Sequence, residues 1–369
     1  MRAVALGMSA HVPLSVLDLA PINRHAAHGR GARETLAASV ELARAAERHG
    51  YRRVWYAEHH SMPSIASSAP AVLVAHVAAH TSTIRLGAGG VMLPNHAPLT
   101  IAEQFGTLAA AYPGRIDLGL GRAPGSDGAT SAALRRDPSA ADTFPDDVVE
   151  LQDLLAGTPR PDGVRAVPLA LDDDGLPVPL YILGSSLFGA RLAAALGLPY
   201  AFASHFAPDA LEQAMDLYRR EFTPSDRPGA LVAPHAIAAI NVFAAEDDAT
   251  AQAHLLAARR QRAVALFGRT VRPGVLPGGL GGADLNTADD ATFDAAADAL
   301  LDAGAGVHVD RMTRLAAVGT PHDVVAQLDA FAARVGADEL ITAHGAPSAA
   351  ARVRSVELVG AAVSAALAA

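Results

Sequence analysis

A carboxylate and two imidazoles stand side by side at Glu58, His59 and His60, directly after an apolar run at residues 54–57. The β-forming apolar residues end where the titratable ones begin, so the polar group should lie at the carboxyl end of a strand. α/β proteins place their chemistry at that end. Because an imidazole exchanges protons near pH 7, the stretch predicts a reaction centre, followed by a loop that contains Met62.

Short apolar strands alternate with helices along the whole chain. The predicted strands cover residues 14–19, 52–57, 83–89, 115–120, 180–183, 200–203, 236–243 and 339–342. The predicted helices cover residues 34–49, 69–80, 99–111, 140–155, 187–196, 208–222, 247–267, 321–335 and 349–367. This pattern is typical of an α/β fold of the TIM (β/α)8 barrel type rather than of an open sheet. We expect one domain over residues 1–369, with its polar clusters on one rim.

The regular alternation of strands and helices is interrupted at residues 268–318, before the eighth strand. Gly and Pro crowd residues 273–282, so we expect mostly loop there, with one short Ala-rich helix near residues 290–301. A long insertion inside a compact domain is often functional. We therefore predict a mobile lid over the barrel mouth at 268–318, with a mere linker as the alternative.

Composition excludes several kinds of protein. The net charge of −9 argues against nucleic acid as the main partner, since a polyanion requires clustered Lys and Arg. The chain has no Cys, which excludes disulfides, thiolate nucleophiles and Cys-based metal centres. It has no apolar run long enough for a membrane helix and no signal-peptide pattern. A reducing cytoplasm is the simplest fit, and no membrane association is expected.

The sequence gives weaker support for a metal site and for a nicotinamide dinucleotide site. Neighbouring strand residues point to opposite faces, so the adjacent histidines cannot easily grip one metal ion. A barrel hydrolase with scattered ligands stays open, because the histidines include His11, His76, His205 and His308. Residues 119–125 imitate the G-x-G-x-x-G fingerprint only in part, so no nicotinamide dinucleotide site is indicated.

Four separated motifs occur in one order along the chain. They are residues 55–60 with 66–70, residues 87–96 with 102–105, residues 114–125, and residues 183–186 with 196–199. In this combination the chain resembles the bacterial luciferase-like flavin-dependent monooxygenases, over roughly residues 14–340. It is most similar to the single-subunit-type branch, which includes enzymes that tailor polyketides in secondary metabolism.

The resemblance implies an activity and a cofactor. Reduced FMN, delivered by a separate NAD(P)H:flavin reductase, would react with O2 to give a C4a-peroxyflavin. This species would transfer one oxygen atom to an apolar organic substrate, with aromatic and polyketide molecules as the candidates. Luminescence with a long-chain aldehyde is not expected, since it belongs to one narrow branch of the family.

The resemblance also indicates which residues would hold FMN. Arg122 can supply a cation for the phosphate, and the Ser185 and Ser186 hydroxyls with the first amides of the next helix form an anion site. The flanking glycines Gly121 and Gly184 belong to the same two motifs. Taken alone, such an Arg is more often a surface ion pair, and Gly-Ser-Ser is an ordinary helix cap.

The flavin ring and the substrate would lie next to the reaction centre. Gly89 and Gly90 stand where the family often has a non-proline cis peptide against the ring, although the sequence does not determine the bond's geometry. His59 would act as the acid–base residue and Glu58 would orient groups around the ring, or their roles could be exchanged. The substrate pocket is predicted to include His60, Met62, Met92 and His96.

Two further functions are consistent with the same pattern. One is a flavin-binding relative without enzymatic activity, and the other is an oxidoreductase that uses the deazaflavin F420. The Ala-rich helix at 99–111 offers a flat face for a homodimer, as in this family, but such a face can equally pack on the barrel.

Overall fold

A computed structural model describes residues 11–23, 31–123, 128–268, 285 and 288–368. Within them the strands are β1 (Leu14–Asp18), β2 (Arg53–Tyr56), β3 (Arg85–Met92), β4 (Ile116–Gly121), β5 (Leu180–Gly184), β6 (Tyr200–Phe202), β7 (Ala236–Ala244), β8 (Ala316–Gly319) and β9 (Glu339–His344). The helices are α1 (Gly31–Arg48), α2 (Pro70–Ala78), α3 (Pro98–Ala111), α4 (Gly128–Ala133), α5 (Phe144–Ala156), α6 (Leu187–Leu196), α7 (Leu211–Glu221), α8 (Asp248–Phe267), α9 (Asp290–Leu300), α10 (Gly306–Thr313), α11 (Pro321–Val335) and α12 (Ala349–Ala368).

Eight of these strands form a closed parallel barrel, as predicted. β1 pairs with β2 on one edge and with β9 on the other, and β6 pairs with β7, so the ring closes. β9 is the strand that was predicted as the eighth. Because every strand runs in the same direction, all the carboxyl ends meet on one rim, which surrounds the barrel mouth.

The apolar residues form two layers. Side chains such as Val54 and Leu86 point outwards and pack between the barrel and the helices. Alternate residues, among them Leu17, Trp55 and Ile237, fill the barrel interior. The strands are therefore buried on both faces, which explains why they read as near-continuous apolar runs.

The amino end of the barrel is closed by buried charges. Arg53 is 1% exposed; its Nη1 lies 2.7 Å from Asp117 Oδ2, and its Nε lies 2.9 Å from Glu339 Oε1. A buried guanidinium with two carboxylates keeps its charges compensated where water is excluded. This network lies at the opposite end from the mouth and has a structural role.

The insertion contains more regular structure than expected. The predicted short helix is present as α9, but α10 and β8 also form before residue 319. β8 pairs with the carboxyl half of β7 from Asn241 to Ala244, on the edge that β6 has left free. The Gly-rich residues 269–284 lie outside the described residues, so the mobility of a lid stays a prediction.

The segment after β4 contains the short helix α4, which is not among the predicted helices. α5 begins at Phe144 rather than near residue 140, after a separate 3-10 turn at Pro138–Ala141. In the described part of the chain, no helix is long and apolar enough to cross a membrane.

Candidate active site

Glu58 is the buried anchor of the rim beyond β2. The side chain has no exposed surface. Its Oε1 lies 2.7 Å from Nε2 of His60 and 2.8 Å from Nε2 of His96. Its Oε2 accepts the backbone N–H of Met92 at 3.0 Å. One carboxylate thus ties the end of β2 to the end of β3 and the turn that follows.

This carboxylate stays ionised. Burial alone would raise the pKa of Glu58, but the hydrogen bonds from His96 and His60 and from the Met92 amide lower it overall. Because an ionised carboxylate only accepts hydrogen bonds, both imidazoles must donate from Nε2. Glu58 therefore accepts hydrogen bonds that position His60, His96 and the Met92 amide.

His59 is held by its backbone and has an unengaged ring nitrogen. Its backbone N–H donates to the Ser67 carbonyl at 3.1 Å, which sets the direction of the residue. Its Nδ1 is buried and has no hydrogen-bond partner among the described residues. Burial lowers the pKa of His59, and the nearby charge of Glu58 opposes that shift only in part. A neutral imidazole that can accept a proton is the result.

The Gly89-Gly90 peptide is cis. A Cβ on Gly89 would lie 2.8 Å from Cβ of Trp55, and one on Gly90 would lie 2.7 Å from the carbonyl oxygen of Gly119. Real Cβ atoms do not come so close, so β3 needs glycine at both positions to pack against Trp55 and β4. The backbone here forms a side-chain-free part of the wall where a planar ring could approach.

A guanidinium, a hydroxyl and a helix N terminus lie near the ends of β4 and β5. The guanidinium of Arg122 stacks on the Phe188 ring, 4.1 Å from its centroid, and thereby reaches the start of α6. In the described part of the chain, Arg122 has no carboxylate within ion-pair distance. Ser186 is the N-cap of α6, but its side chain makes no capping bond. A free guanidinium, an unengaged hydroxyl and a helix N terminus suit a phosphate group.

The glycines of the two phosphate motifs have different surroundings. A Cβ on Gly184 would meet only the Gly189 Cα at 3.8 Å, so the space beside Ser185 is open. Gly121 instead packs against Met92, whose Cε would lie 2.7 Å from an added Cβ. The predicted phosphate residues are therefore brought together after β4 and β5, and Met92 joins the ends of β3 and β4.

The predicted substrate-pocket residues are more polar in their contacts than an apolar cavity implies. His60 and His96 are hydrogen bonded to Glu58, and their side chains are 18% and 28% exposed. Met62 lies in the loop after β2 and is 42% exposed. The structure thus gives two of these four residues a second task, which is to hold the Glu58 carboxylate.

Glu58, His60 and His96 also bring three possible ligand atoms within 4.8 Å of one another. The sequence argument considered only the adjacent histidines of one strand, which point to opposite faces, and did not predict this group because His96 follows a different strand. The nitrogen–oxygen separations of 2.7 and 2.8 Å are hydrogen-bond distances. Neighbouring ligands of a tetrahedral zinc ion stand about 3.3 Å apart, given bonds of about 2.0 Å. The group is thus arranged as a hydrogen-bonded network, and a site without metal stays our prediction.

Sequence reasoning did not assign two residues to the flavin site, since His205 was named only as a possible ligand of a barrel hydrolase and Arg262 was not named. His205 follows β6 and is 7% exposed, with its Nδ1 buried and unpartnered among the described residues. Its position just after a strand could have identified it by the rule that identified His59. Arg262 comes from the middle of α8 and reaches Asn241 of β7, with 2.8 Å between Nη2 and Oδ1. No sequence signal marks an arginine in a helix as part of the mouth.

The model of the family described as luciferase-like monooxygenase matches residues 17–339, which is most of the barrel. The chain belongs to the luciferase-like monooxygenase family. A luciferase-like monooxygenase of Escherichia coli K12 is 56% identical over 243 residues, 65% of this chain and 69% of that protein. YvbT, an uncharacterized protein of Bacillus subtilis 168, is 41% identical over 350 residues, 94% and 95% of the two chains.

Several solved structures share the fold. The crystal structure of apo-MsnO8 superposes with a TM-score of 0.73 at 34% identity and covers 95% of this luciferase-like chain and 98% of its own. The oxygenating component of a Pseudomonas putida 3,6-diketocamphane monooxygenase, in complex with FMN, has a TM-score of 0.66 at 18% identity over 96% and 98%. An F420-dependent tetrahydromethanopterin reductase from Methanopyrus kandleri has a TM-score of 0.62 at 18% identity over 95% and 98%. The last two show the fold alone.

Proposed function

We propose that the protein is a reduced-FMN-dependent monooxygenase that transfers one oxygen atom from O2 to a small organic substrate. Family membership supports an oxygenating oxidoreductase. The observation that carries the choice of cofactor is the anion site formed by Arg122, Ser186 and the N terminus of α6. Reduced FMN, when bound there, supplies the electrons with which O2 is activated.

The residues of the rim have separate tasks. Arg122, Ser185 and Ser186 hold the phosphate, which fixes one end of the cofactor. The Gly89-Gly90 backbone is proposed to contact the ring, as the resemblance to the family implies. Orientation of both ends restricts the ring to one position in the mouth.

His59 takes or gives the proton at its Nδ1, the buried atom that the described residues leave without a partner. Its lowered pKa keeps it neutral and ready to accept a proton at the pH of the cell. Glu58 positions the neighbouring imidazoles and the Met92 amide, and it raises the proton affinity of His59 by its charge.

Water exclusion is assigned to the insertion. α9 and α10 pack against α8, and their shared apolar cluster includes Ala263, Leu300 and Val309. These two helices are part of the insertion 268–318, which we propose acts as a lid over the mouth. The substrate is expected to be mainly apolar where it contacts Met62 and Met92.

The protein is proposed to work with a separate NAD(P)H:flavin reductase, since no dinucleotide fingerprint follows a strand. We further propose a cytoplasmic homodimer with α3, the helix observed for 99–111, in the interface. Light scattering tests the dimer, because a monomeric mass in solution would refute it.

Rapid mixing with oxygen tests the oxygenation chemistry. Photoreduced FMN is bound to the protein under argon and then mixed with aerated buffer. We expect a transient absorbance that differs from the spectra of reduced and oxidised flavin. Autoxidation of FMN at the rate seen without protein would refute the proposal and favour a flavin-binding protein without enzymatic activity.

The cofactor is tested by comparing affinities for reduced FMN and reduced F420. Arg122→Gln should weaken FMN binding by about tenfold or more, the usual effect of losing a charge-assisted hydrogen bond to phosphate. Arg191→Gln is the matched control, because Arg191 lies on α6 and is exposed. Tighter binding of F420 than of FMN would instead identify an F420-dependent oxidoreductase.

A further inference from the structure

α8 carries three arginines with unequal surroundings. Arg260 forms ion pairs with Asp294 and Asp298 at 2.6 Å, and Arg259 forms one with Asp310. Arg262, one turn from Arg259, has no carboxylate within ion-pair distance in the described part of the chain. Its Nη1 is buried and unpartnered there as well. An enclosed guanidinium without a counter-charge is costly unless a ligand supplies one.

Arg262 is directed towards the barrel mouth by Asn241. Ile237 and Ala239 of β7 point into the barrel interior, so Asn241, two residues further, lies on the same face near the carboxyl end. Asn241 accepts from Arg262 Nη2 at 2.8 Å and donates from Nδ2 to the His205 carbonyl at 2.6 Å. The Asn241 side chain therefore links the Arg262 guanidinium to the backbone of His205.

Three buried atoms near the carboxyl ends of the strands have no hydrogen-bond partner among the described residues. They are Nη1 of Arg262 and the Nδ1 atoms of His205 and His59, which belong to α8 and to the segments that follow β6 and β2. Burial, with the nearby charges of Arg262 and His59, lowers the pKa of His205 to about 3. Both imidazoles are thus neutral near pH 7, so neither adds a charge to that of the Arg262 guanidinium.

We propose that Arg262 binds a carboxylate group of the organic substrate, and that the enzyme therefore oxygenates an apolar molecule that carries an acid group. The proposal rests on the proposed function and specifies its substrate class. The planar guanidinium can present Nη1 to a carboxylate oxygen while Nη2 stays on Asn241. His205, whose carbonyl accepts from Asn241, connects Arg262 with the His59 side of the mouth.

The cofactor's phosphate does not account for Arg262. The phosphate residues follow β4 and β5, whereas Arg262 stands over β7, and β5 and β6 lie between β4 and β7 in the barrel. An internal ion pair does not account for it either, because the described carboxylates near α8 already bind Arg259 and Arg260. A carboxylate on the substrate would compensate the charge of Arg262 and accept a hydrogen bond from its Nη1.

The test compares acids with uncharged amides of the same shape. Phenylalkanoic acids of graded chain length and their primary amides are titrated into the full-length protein by calorimetry, with and without reduced FMN under argon. The variants are Arg262→Gln, Arg262→Lys and the control Arg259→Gln. The glutamine amide in Arg262→Gln can still donate to Asn241, and the thermal midpoint of each variant verifies its fold.

We expect the wild type to bind at least one acid about tenfold to a hundredfold more tightly than its amide, the range for a charge-assisted hydrogen bond. Arg262→Gln should abolish that preference, Arg262→Lys should keep part of it, and Arg259→Gln should keep all of it. The proposal is overturned if no acid is preferred, if the preference survives Arg262→Gln, or if the control loses it equally. An intact preference without any effect of the protein on FMN oxidation would refute the monooxygenase and leave the carboxylate site standing.

Discussion

Replacing Glu58 by Ala tests the anchor of the rim. The carboxylate is fully buried and accepts the Met92 amide and the imidazoles of His60 and His96. A hydrogen bond to a charged group contributes about 1.5–3 kcal/mol. We count about 2 kcal/mol for the amide, which has no alternative acceptor, and about 1 kcal/mol for each imidazole, since a half-buried ring can turn to water.

The expected loss in free energy of unfolding is therefore about 4 kcal/mol for Glu58→Ala. Urea titration followed by the fluorescence of Trp55, the single tryptophan of the chain, measures it from inside the barrel. Glu41→Ala is the control, because its ion pair with Arg44 is exposed and should contribute less than about 1 kcal/mol. A loss below about 1 kcal/mol for Glu58→Ala would refute the anchoring role.

The Glu58→Gln variant removes the charge of the Glu58 side chain and keeps its shape. The amide oxygen can still accept the Met92 N–H, and the NH2 group can donate to His60 and His96 if both rings change tautomer. Stability should therefore fall much less than in Glu58→Ala. Because the charge of Glu58 raises the pKa of His59, its removal should move the acid limb of the pH–rate profile to lower pH. An unmoved limb would show that Glu58 does not tune His59.

The remaining predictions concern buried groups near the barrel wall. Burial lowers the pKa of both His205 and His344 to about 3, so below pH about 6.5 the unfolded chain binds protons that the folded chain does not. The free energy of unfolding should then decrease as the pH is lowered, by about 1.4 kcal/mol per histidine at pH about 5.5. In urea titrations at two pH values, His344→Asn should show this pH-dependent loss for one histidine fewer than the wild type. Gly89→Ala places a Cβ 2.8 Å from that of Trp55 and should cost about 1–3 kcal/mol, whereas Gly128→Ala, with open space around it, should be nearly neutral; equal midpoints would contradict this packing.

Much of the barrel was predictable because its strands are short, apolar and regularly followed by helices. β8 was missed because Ala316–Gly319 is a short stretch without β-branched residues at most positions and pairs only where β7 outlasts β6. α10 was missed for a similar reason, since the sequence around Gly304 and Gly306 reads as loop. Tertiary contacts, not local preference, give both elements their structure, since α10 packs against α8 through Val309 and β8 pairs with β7.

Candidate site residues that directly follow a strand could be predicted from the sequence. Residues whose placement depends on partners distant in the chain could not. Glu58 and His59 were identified by their position directly after a strand, whereas Arg122 and Ser186, which also stand at element ends, were assigned through the family resemblance. That His96 shares the Glu58 oxygen with His60 depends on how the ends of β2 and β3 are placed in the barrel. Arg262 could not be singled out among the arginines of α8 before the carboxylate partners of the other two were known.

Isotope labelling tests the central claim most directly. The protein, reduced FMN and a metabolite extract are mixed under 18O2, and the products are compared by mass spectrometry with those from the His59→Ala variant. We expect a protein-dependent product that carries one 18O atom, formed much more slowly by His59→Ala although FMN binding is mostly retained. A product labelled only from water, or one reduced or oxidised without any gain of oxygen, would contradict a flavin-dependent monooxygenase.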